Sequence, residues 1–322
     1  MLRNFPYYLF SKIYIKTGLN AVAVSGNQIN NSMPVDIIVT TYKRYDLLRE
    51  ALKSVASQSY PHWKCWIAED GESKETHEAV KPFLQDNRFV YLPGIHVGFP
   101  AVPRNRAIRQ GAAPYIALLD DDDLWLPRKL EYQIAFLKSN PNCVLLGCNG
   151  FWWKGIREFN NVSLYFKSKM LGKIRYTKLV NQNHLINSSV VFRRSAIEKS
   201  GLFNEDPFLQ PGQDYELWLR MGVLGEIWNL AEPLVIYRET PSSHYNKKPD
   251  RYSKYKSFAK IYASALKGIE DLPISLFNSE NVCLADVCRR ERDFYLAGPR
   301  FLGRFRHEMP SKIKHFFEFN KR

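Results

Sequence analysis

What this chain lacks already narrows what it does. It has five cysteines (Cys65, Cys143, Cys148, Cys283 and Cys288), with no C-x-x-C pair among them. That pattern excludes a disulfide framework and the usual zinc spacings, and it reads as buried thiols in a reducing compartment. No run of about 20 uninterrupted apolar residues occurs, so nothing reads as a spanning helix. The opening MLRNFPYYLFSKIYIKTGLNAVAVSG is broken by Asn4, Pro6, Ser11, Lys12 and Lys16, which spoils it as a signal core. Glycine is missing from VTTYKRYD, residues 39–46, so no Gly-rich phosphate loop follows the first apolar run. Acidic residues are also in deficit, with 32 Asp and Glu against 46 Lys and Arg, a net charge of +14. A balance this basic points to an anionic partner, whether nucleotide, nucleic acid or membrane surface.

Aromatics are plentiful, with 20 Phe, 18 Tyr and 7 Trp, which argues against disorder over most of the length. From Val35 onward, strand-like and helix-like segments alternate. VDIIVTT (35–41), WKCWIAED (63–70), RFVYLP (88–93), YIALLD (115–120) and CVLLGCNG (143–150) read as strands. Helical patterns fall at 45–58, 74–85 and 102–112, and another starts near Pro127. This order predicts an α/β fold with a parallel, doubly wound sheet covered by helices, and ligands beyond the carboxyl ends of its strands. Residues 151–185 show no readable pattern. After them come a strand and short helix ending at Gly201, an amphipathic segment at 213–225 and a strand at 233–239.

The most informative stretch is PYIALLDDDDLWLPRKL, residues 114–130, where a buried strand runs straight into Asp120, Asp121, Asp122 and Asp123. Four adjacent carboxylates repel one another, and burying any of them unpaired is costly or raises its pKa. Helix capping needs only one. A positive group is therefore expected there, and hard carboxylate oxygens suit Mg²⁺ or Mn²⁺ bridging to a substrate phosphate.

These residues resemble the strand-end acidic motif of the family 2 glycosyltransferases of the GT-A fold, and the likeness extends from residue 35 to about 240. VDIIVTTYKRYDLLREALKSVASQSYPHWKCWIAEDGES resembles that family's opening strand, helix and second strand end. RNRAI (104–108) resembles its third-helix start, and SSVVFRRSAIEKSGLFNE with GQDYELWLRM its acceptor-side strand and helix. The resemblance implies an inverting transfer from a UDP-linked sugar to a hydroxyl of a saccharide or lipid-linked acceptor, in bacterial surface polysaccharide synthesis. It implies a GT-A catalytic unit over 33–240, with a nucleotide-binding half at 33–125 and an acceptor half at 126–240. A peripheral segment at 1–32 would precede it, and a basic helical extension at 241–322 would follow.

By the same resemblance Thr40, Tyr42 and Asp70 hold the nucleoside, and Arg104 meets diphosphate or base. Asp120 and Asp121 contact ribose or metal-bound water, Asp122 ligates the metal, and Asp214 is the catalytic base. Each has a plainer reading too: Asp214, for one, would be favoured by the macrodipole of a first helical turn. Glu216 and Asp206 are the nearest substitutes for it. The sequence departs from the family pattern at Lys43, where Asn is frequent, at Glu69, which replaces an aspartate, and at Gln213, which replaces Glu.

Two other classes compete. A sugar-phosphate nucleotidyltransferase shares the architecture but would need the missing glycine loop. A nucleic-acid-binding protein would explain the charge, but no zinc or helix-turn-helix signal supports it. From Pro241 to Arg322 there are 17 Lys and Arg against 9 Asp and Glu, leaving +8 of the +14 in this stretch. GPRFLGRFRHEMPSKIKHFFEFNKR (298–322) mixes five Phe with basic residues. That composition suits either an interfacial helix on anionic lipid or a helix packed on the catalytic unit. The expected location is the cytoplasm, peripheral to the membrane.

Overall fold

A computed structural model describes residues 33–154, 162–240 and 251–272. The expectations for the N-terminal 32 residues and for the basic stretch 298–322 lie outside the described residues. The first half alternates as the pattern predicts: β1 (Val35–Thr41), α1 (Tyr45–Ala56), β2 (Trp63–Glu69), α2 (Lys74–Val80), β3 (Phe89–Leu92), α3 (Ala101–Gln110) and β4 (Tyr115–Asp120). A two-residue β5 (Leu124–Trp125) precedes α4 (Lys129–Ser139). The second half holds β6 (Cys143–Lys154), β7 (Val162–Leu164), β8 (Gly172–Ile174), α5 (Tyr176–Asn181), β9 (Val191–Arg193), α6 (Arg194–Ser200), α7 (Gln213–Met221), β10 (Glu226–Glu239) and α8 (Arg251–Glu270).

The sheet runs β3-β2-β1-β4-β9-β6-β10-β5, with β7 on β6 and β8 on β10. Strands β3, β2, β1 and β4 are parallel, as are β6 and β10, but β9 lies antiparallel between β4 and β6. The sheet is therefore mostly parallel, as expected, with β9 as an antiparallel strand inside it. The 3₁₀ turn Asn187–Ser189 delivers the chain to the carboxyl end of β4, so the strand leaving it can only run back along its neighbours. The strand expected at 233–239 is the second half of the 14-residue β10.

Alternation along the strands feeds two cores. Val35, Ile37 and Val39 of β1 point to one face, where Leu48, Ala51, Leu52 and Val55 of α1 and Leu130, Ile134 and Leu137 of α4 cover them. The i, i+3, i+4, i+7 spacing on α1 is what makes it a helix with one apolar stripe. Ile38, Ile116, Leu118 and Phe192 point to the other face, against Ala107 and Ile108 of α3, Leu217 and Trp218 of α7, and Tyr262, Ala265 and Ile269 of α8. Both faces are dry, which leaves the strand ends as the place for polar chemistry.

Candidate active site

Register fixes the floor of the site. Thr40 pairs with Asp120 and Thr41 with Glu69, so three strands finish level. At strand spacings just under 5 Å, the ends of β2 and β4 are about 10 Å apart across β1. Thr40, buried, sits on that floor, and Tyr42, 39% exposed, stands at its rim. Lys43 adopts φ 52°, a left-handed conformation that Asn takes with less strain than Lys.

The four aspartates divide their duties. Asp120 accepts from Arg104 Nη2 at 3.1 Å and from Asn187 Nδ2 at 2.8 and 3.0 Å. Asp121 and Asp122 share one cation, Arg44, whose Nη1 lies 2.9 Å from Asp121 Oδ1 and 2.7 Å from Asp122 Oδ2. Thr240 Oγ1 stands 3.5 Å from Asp122 Oδ2. Asp123 is a structural tie, accepting from Ser188 Oγ at 2.5 Å and from the Arg238 amide at 2.9 Å, which joins β4 to β10. Burial pushes the Asp121 carboxyl up to about 7, with Arg44 opposing it. Asp122 and Asp123 are raised for the same first reason, and neighbouring carboxylates add to it.

Among the described residues no group of three or more His, Cys, Asp and Glu is disposed to hold a metal ion by itself. Asp120 and Asp122 nonetheless turn partly exposed carboxylates outward, with side chains 32% and 16% accessible. One or two hard oxygens beside open space suit an octahedral cation that takes its other ligands from water and phosphate. The donor set therefore fits Mg²⁺ or Mn²⁺.

On the other side of β1, Asp70 is buried. Its carboxylate accepts from the Val97 amide at 2.8 Å and the Gly98 amide at 2.9 Å, and His96 Nδ1 lies 3.0 Å away. The His96 ring stacks on Tyr42 at 4.2 Å and 8°. Arg106 supports this corner by donating to the carbonyls of Glu69 (2.6 Å) and Leu92 (3.0 Å). Glu69 faces away, accepting from Ser73 Oγ, Thr76 Oγ1 and Tyr91. Its longer side chain thus braces α2, whose N-cap is Ser73.

Asp214, half-buried in the first turn of α7, has its carboxyl raised by burial, with Arg104 lowering it and Asp120 adding to the rise. Arg104 thus faces both Asp120 and Asp214, and it is buried, with its guanidinium 4.8 Å from the Phe203 ring. The two substitute acids are occupied. Glu216 is paired with Arg220 at 2.7 and 3.0 Å and accepts from Ser264. Asp206 caps a 3₁₀ turn through the Phe208 amide. Gln213 is buried, and its Nε2 has no hydrogen-bond partner among the described residues.

The residues singled out in the sequence therefore gather at one end of the sheet: Thr40, Tyr42 and Asp70 on one side, Asp120, Asp121 and Asp122 in the middle, Arg104 and Asp214 on the other. Arg44, His96, Asn187 and Ser188 belong to the same place and were not singled out. Arg44 was accessible to sequence reasoning, because four adjacent carboxylates demand a nearby cation and Arg44 lies in the short loop after the first strand. Asn187 lies 67 residues from its partner Asp120, and no local pattern marks it.

Comparison with known proteins bears on the fold and the family. The Escherichia coli enzyme UDP-Glc:alpha-D-GlcNAc-diphosphoundecaprenol beta-1,3-glucosyltransferase WfgD is 29% identical over 185 residues, 58% of this chain and 68% of its own. The crystal structure of S. aureus TarS 1-349 in complex with UDP-GlcNAc superposes with a TM-score of 0.63 at 14% identity, covering 88% of this chain and 78% of that one. Mannosyltransferase PcManGT from Pyrobaculum calidifontis in complex with GDP-Man and Mn2+ gives 0.55 at 18% identity, over 98% and 86%. Both share the fold. Residues 36–201, just over half of the 322, match the profile of Glycosyl transferase family 2, and with the α/β sheet and its acidic strand ends this places the chain in that family, as a glycosyltransferase.

Proposed function

We propose that this enzyme moves a sugar, with inversion, from a UDP-linked donor to a hydroxyl of a saccharide or lipid-linked saccharide acceptor during bacterial surface polysaccharide synthesis. The observation that carries this reading is the meeting of Asp214, Arg104 and Asp120 at the strand ends, with Asp121 and Asp122 alongside. The name of WfgD supports it, since UDP-Glc is an α-linked donor and that protein makes a β-1,3 linkage on a diphosphoundecaprenol acceptor. Such an acceptor also favours work at the inner membrane face, with the basic stretch 298–322 as the contact. Among the described residues no helix is long and apolar enough to cross a membrane.

Thr40, Tyr42 and Asp70 hold the nucleoside, and Asp120 and Asp121 contact the ribose or metal-bound water. Asp122 would hold the divalent cation, which when bound would offset the charge gathering on the departing diphosphate. Arg104 places a buried positive charge between donor and base. Asp214 takes the proton from the acceptor hydroxyl as that oxygen attacks the anomeric carbon opposite the diphosphate. Its raised pKa makes it the stronger base for this step.

Asp214→Asn should lower kcat by at least about 10²-fold, the lower end of what a placed proton acceptor supplies, while UDP-sugar affinity changes little. Transfer at the wild-type rate would remove Asp214 from the mechanism. An α-linked product from an α-linked donor would overturn the inverting reading itself.

A further inference from the structure

The cation that answers the aspartate run in this structure is a side chain of the same chain. Arg44 bridges Asp121 and Asp122 at 2.9 and 2.7 Å, yet its own side chain stays 33% exposed. It is held in an awkward position. Arg44 is the N-cap residue of α1 and, having no side-chain acceptor, makes no cap, so a basic residue stands at the helix end where the dipole disfavours one. It also follows Lys43 at φ 52°, a strained position for a non-glycine residue. The main chain stays pinned regardless, because the Arg44 carbonyl accepts from the Leu48 amide at 2.9 Å. Only the side chain has to move for the bridge to open. Of the neighbouring guanidiniums, Arg104 pairs with Asp120 and Arg238 with Glu50; Arg238 acts on Asp122 only through its charge, without a direct bond.

We propose that Arg44 is an internal stand-in for the divalent cation, which neutralises Asp121 and Asp122 until the donor arrives and then turns to the donor's diphosphate. This rests on Asp122 as the metal ligand. A guanidinium and a divalent ion a few ångströms apart repel, so the two compete for Asp122. The diphosphate offers Arg44 a second anionic partner, and each ligand thereby eases the binding of the other; the coupling is reciprocal. Arg44 is a positioning residue in this scheme, and its effect is read in metal affinity rather than in turnover.

The test is a titration of Mn²⁺, followed by the electron paramagnetic resonance signal of the free ion, on the full chain with and without UDP. Without UDP, Arg44→Gln should bind Mn²⁺ about tenfold more tightly than the wild type, a change of about 1.4 kcal/mol. UDP should tighten Mn²⁺ binding by a larger factor in the wild type than in the variant. Arg44→Lys, which keeps the charge on a shorter stem, should fall between the two, and it carries the test if Arg44→Gln does not fold. Equal or weaker Mn²⁺ binding by the variants, in a protein that does bind Mn²⁺ with UDP, overturns the role of Arg44 alone. Failure of every form to bind Mn²⁺ even with UDP overturns the metal reading of Asp122, and the stand-in with it.

Discussion

At the scale of single residues, the partners of each buried carboxylate set what its loss would cost. Glu216 is 1% exposed and paired with Arg220, itself 5% exposed, and removing one partner of such a pair leaves a buried charge uncompensated. Glu216→Gln should therefore cost about 3–5 kcal/mol of stability, read from urea melts; an unchanged midpoint would mean that Arg220 is satisfied by backbone carbonyls alone. Asp121 makes the opposite kind of prediction. Its carboxyl is raised to about 7 in the folded protein, so the native state keeps a proton that the unfolded chain releases. The stabilising contribution is complete below the unfolded pKa, near 4, and is lost as pH rises through about 7. Asp121→Asn removes that dependence. The variant should gain on the wild type between about pH 4 and pH 7, by up to about 1.4 kcal/mol per unit. Parallel stability profiles for the two proteins would mean that Asp121 ionises as an ordinary aspartate.

At the scale of elements, α7 carries the base and its start is tightly framed. Gly212, its N-cap, has φ 150°, and an added Cβ would fall 2.5 Å from Ile261 Cδ1 on α8 and 3.3 Å from the Leu209 carbonyl oxygen. Gly212→Ala should cost about 1–3 kcal/mol through overpacking and also lower kcat, because the turn that shifts is the one holding Asp214. Loss of stability with kcat intact would show that α7 tolerates the displacement. The elements of the first half were legible because each strand is a short apolar run and each helix shows one stripe. In the second half the helices before Gly201 and from Gln213 and the strand at 233–239 were legible too, but the direction of β9 and the strands β7 and β8 were not, for reasons that lie in particular residues. β9 has three residues and takes its direction from the turn before it. β7 and β8 are equally short and gain their hydrogen bonds only from β6 and β10. In the site, Asp122, Asp70 and Asp214 stand out through motif resemblance. Asn187 and Ser188 act on Asp120 and Asp123 across more than 60 residues of chain, a distance that no local spacing encodes.

At the scale of the whole molecule, α8 is welded to the catalytic core. Ile261, Tyr262, Ala265, Leu266, Ile269 and Leu272 are buried, and each large apolar side chain so placed contributes roughly 1.5–3 kcal/mol. A chain ending at Thr240 should therefore be insoluble or molten, whereas one ending at Leu272 should keep cooperative unfolding and UDP binding. If the basic residues beyond Leu272 hold the membrane, the form ending there should no longer sediment with anionic vesicles, and high salt should release the full chain in the same way. Equal sedimentation of both forms would place the contact elsewhere. A last consequence concerns Arg220, which donates from α7 to the carbonyls of Ser200, Gly201 at 3.0 Å and Leu202 at 2.8 Å. The family match stops at residue 201, which makes that point an inviting splice site for grafting a relative's C-terminal segment onto this chain. Arg220 stitches across that seam, so a hybrid cut there inherits one side of a clasp without the other. Recombination should succeed only when the segment from Ser200 to Arg220 travels as one piece.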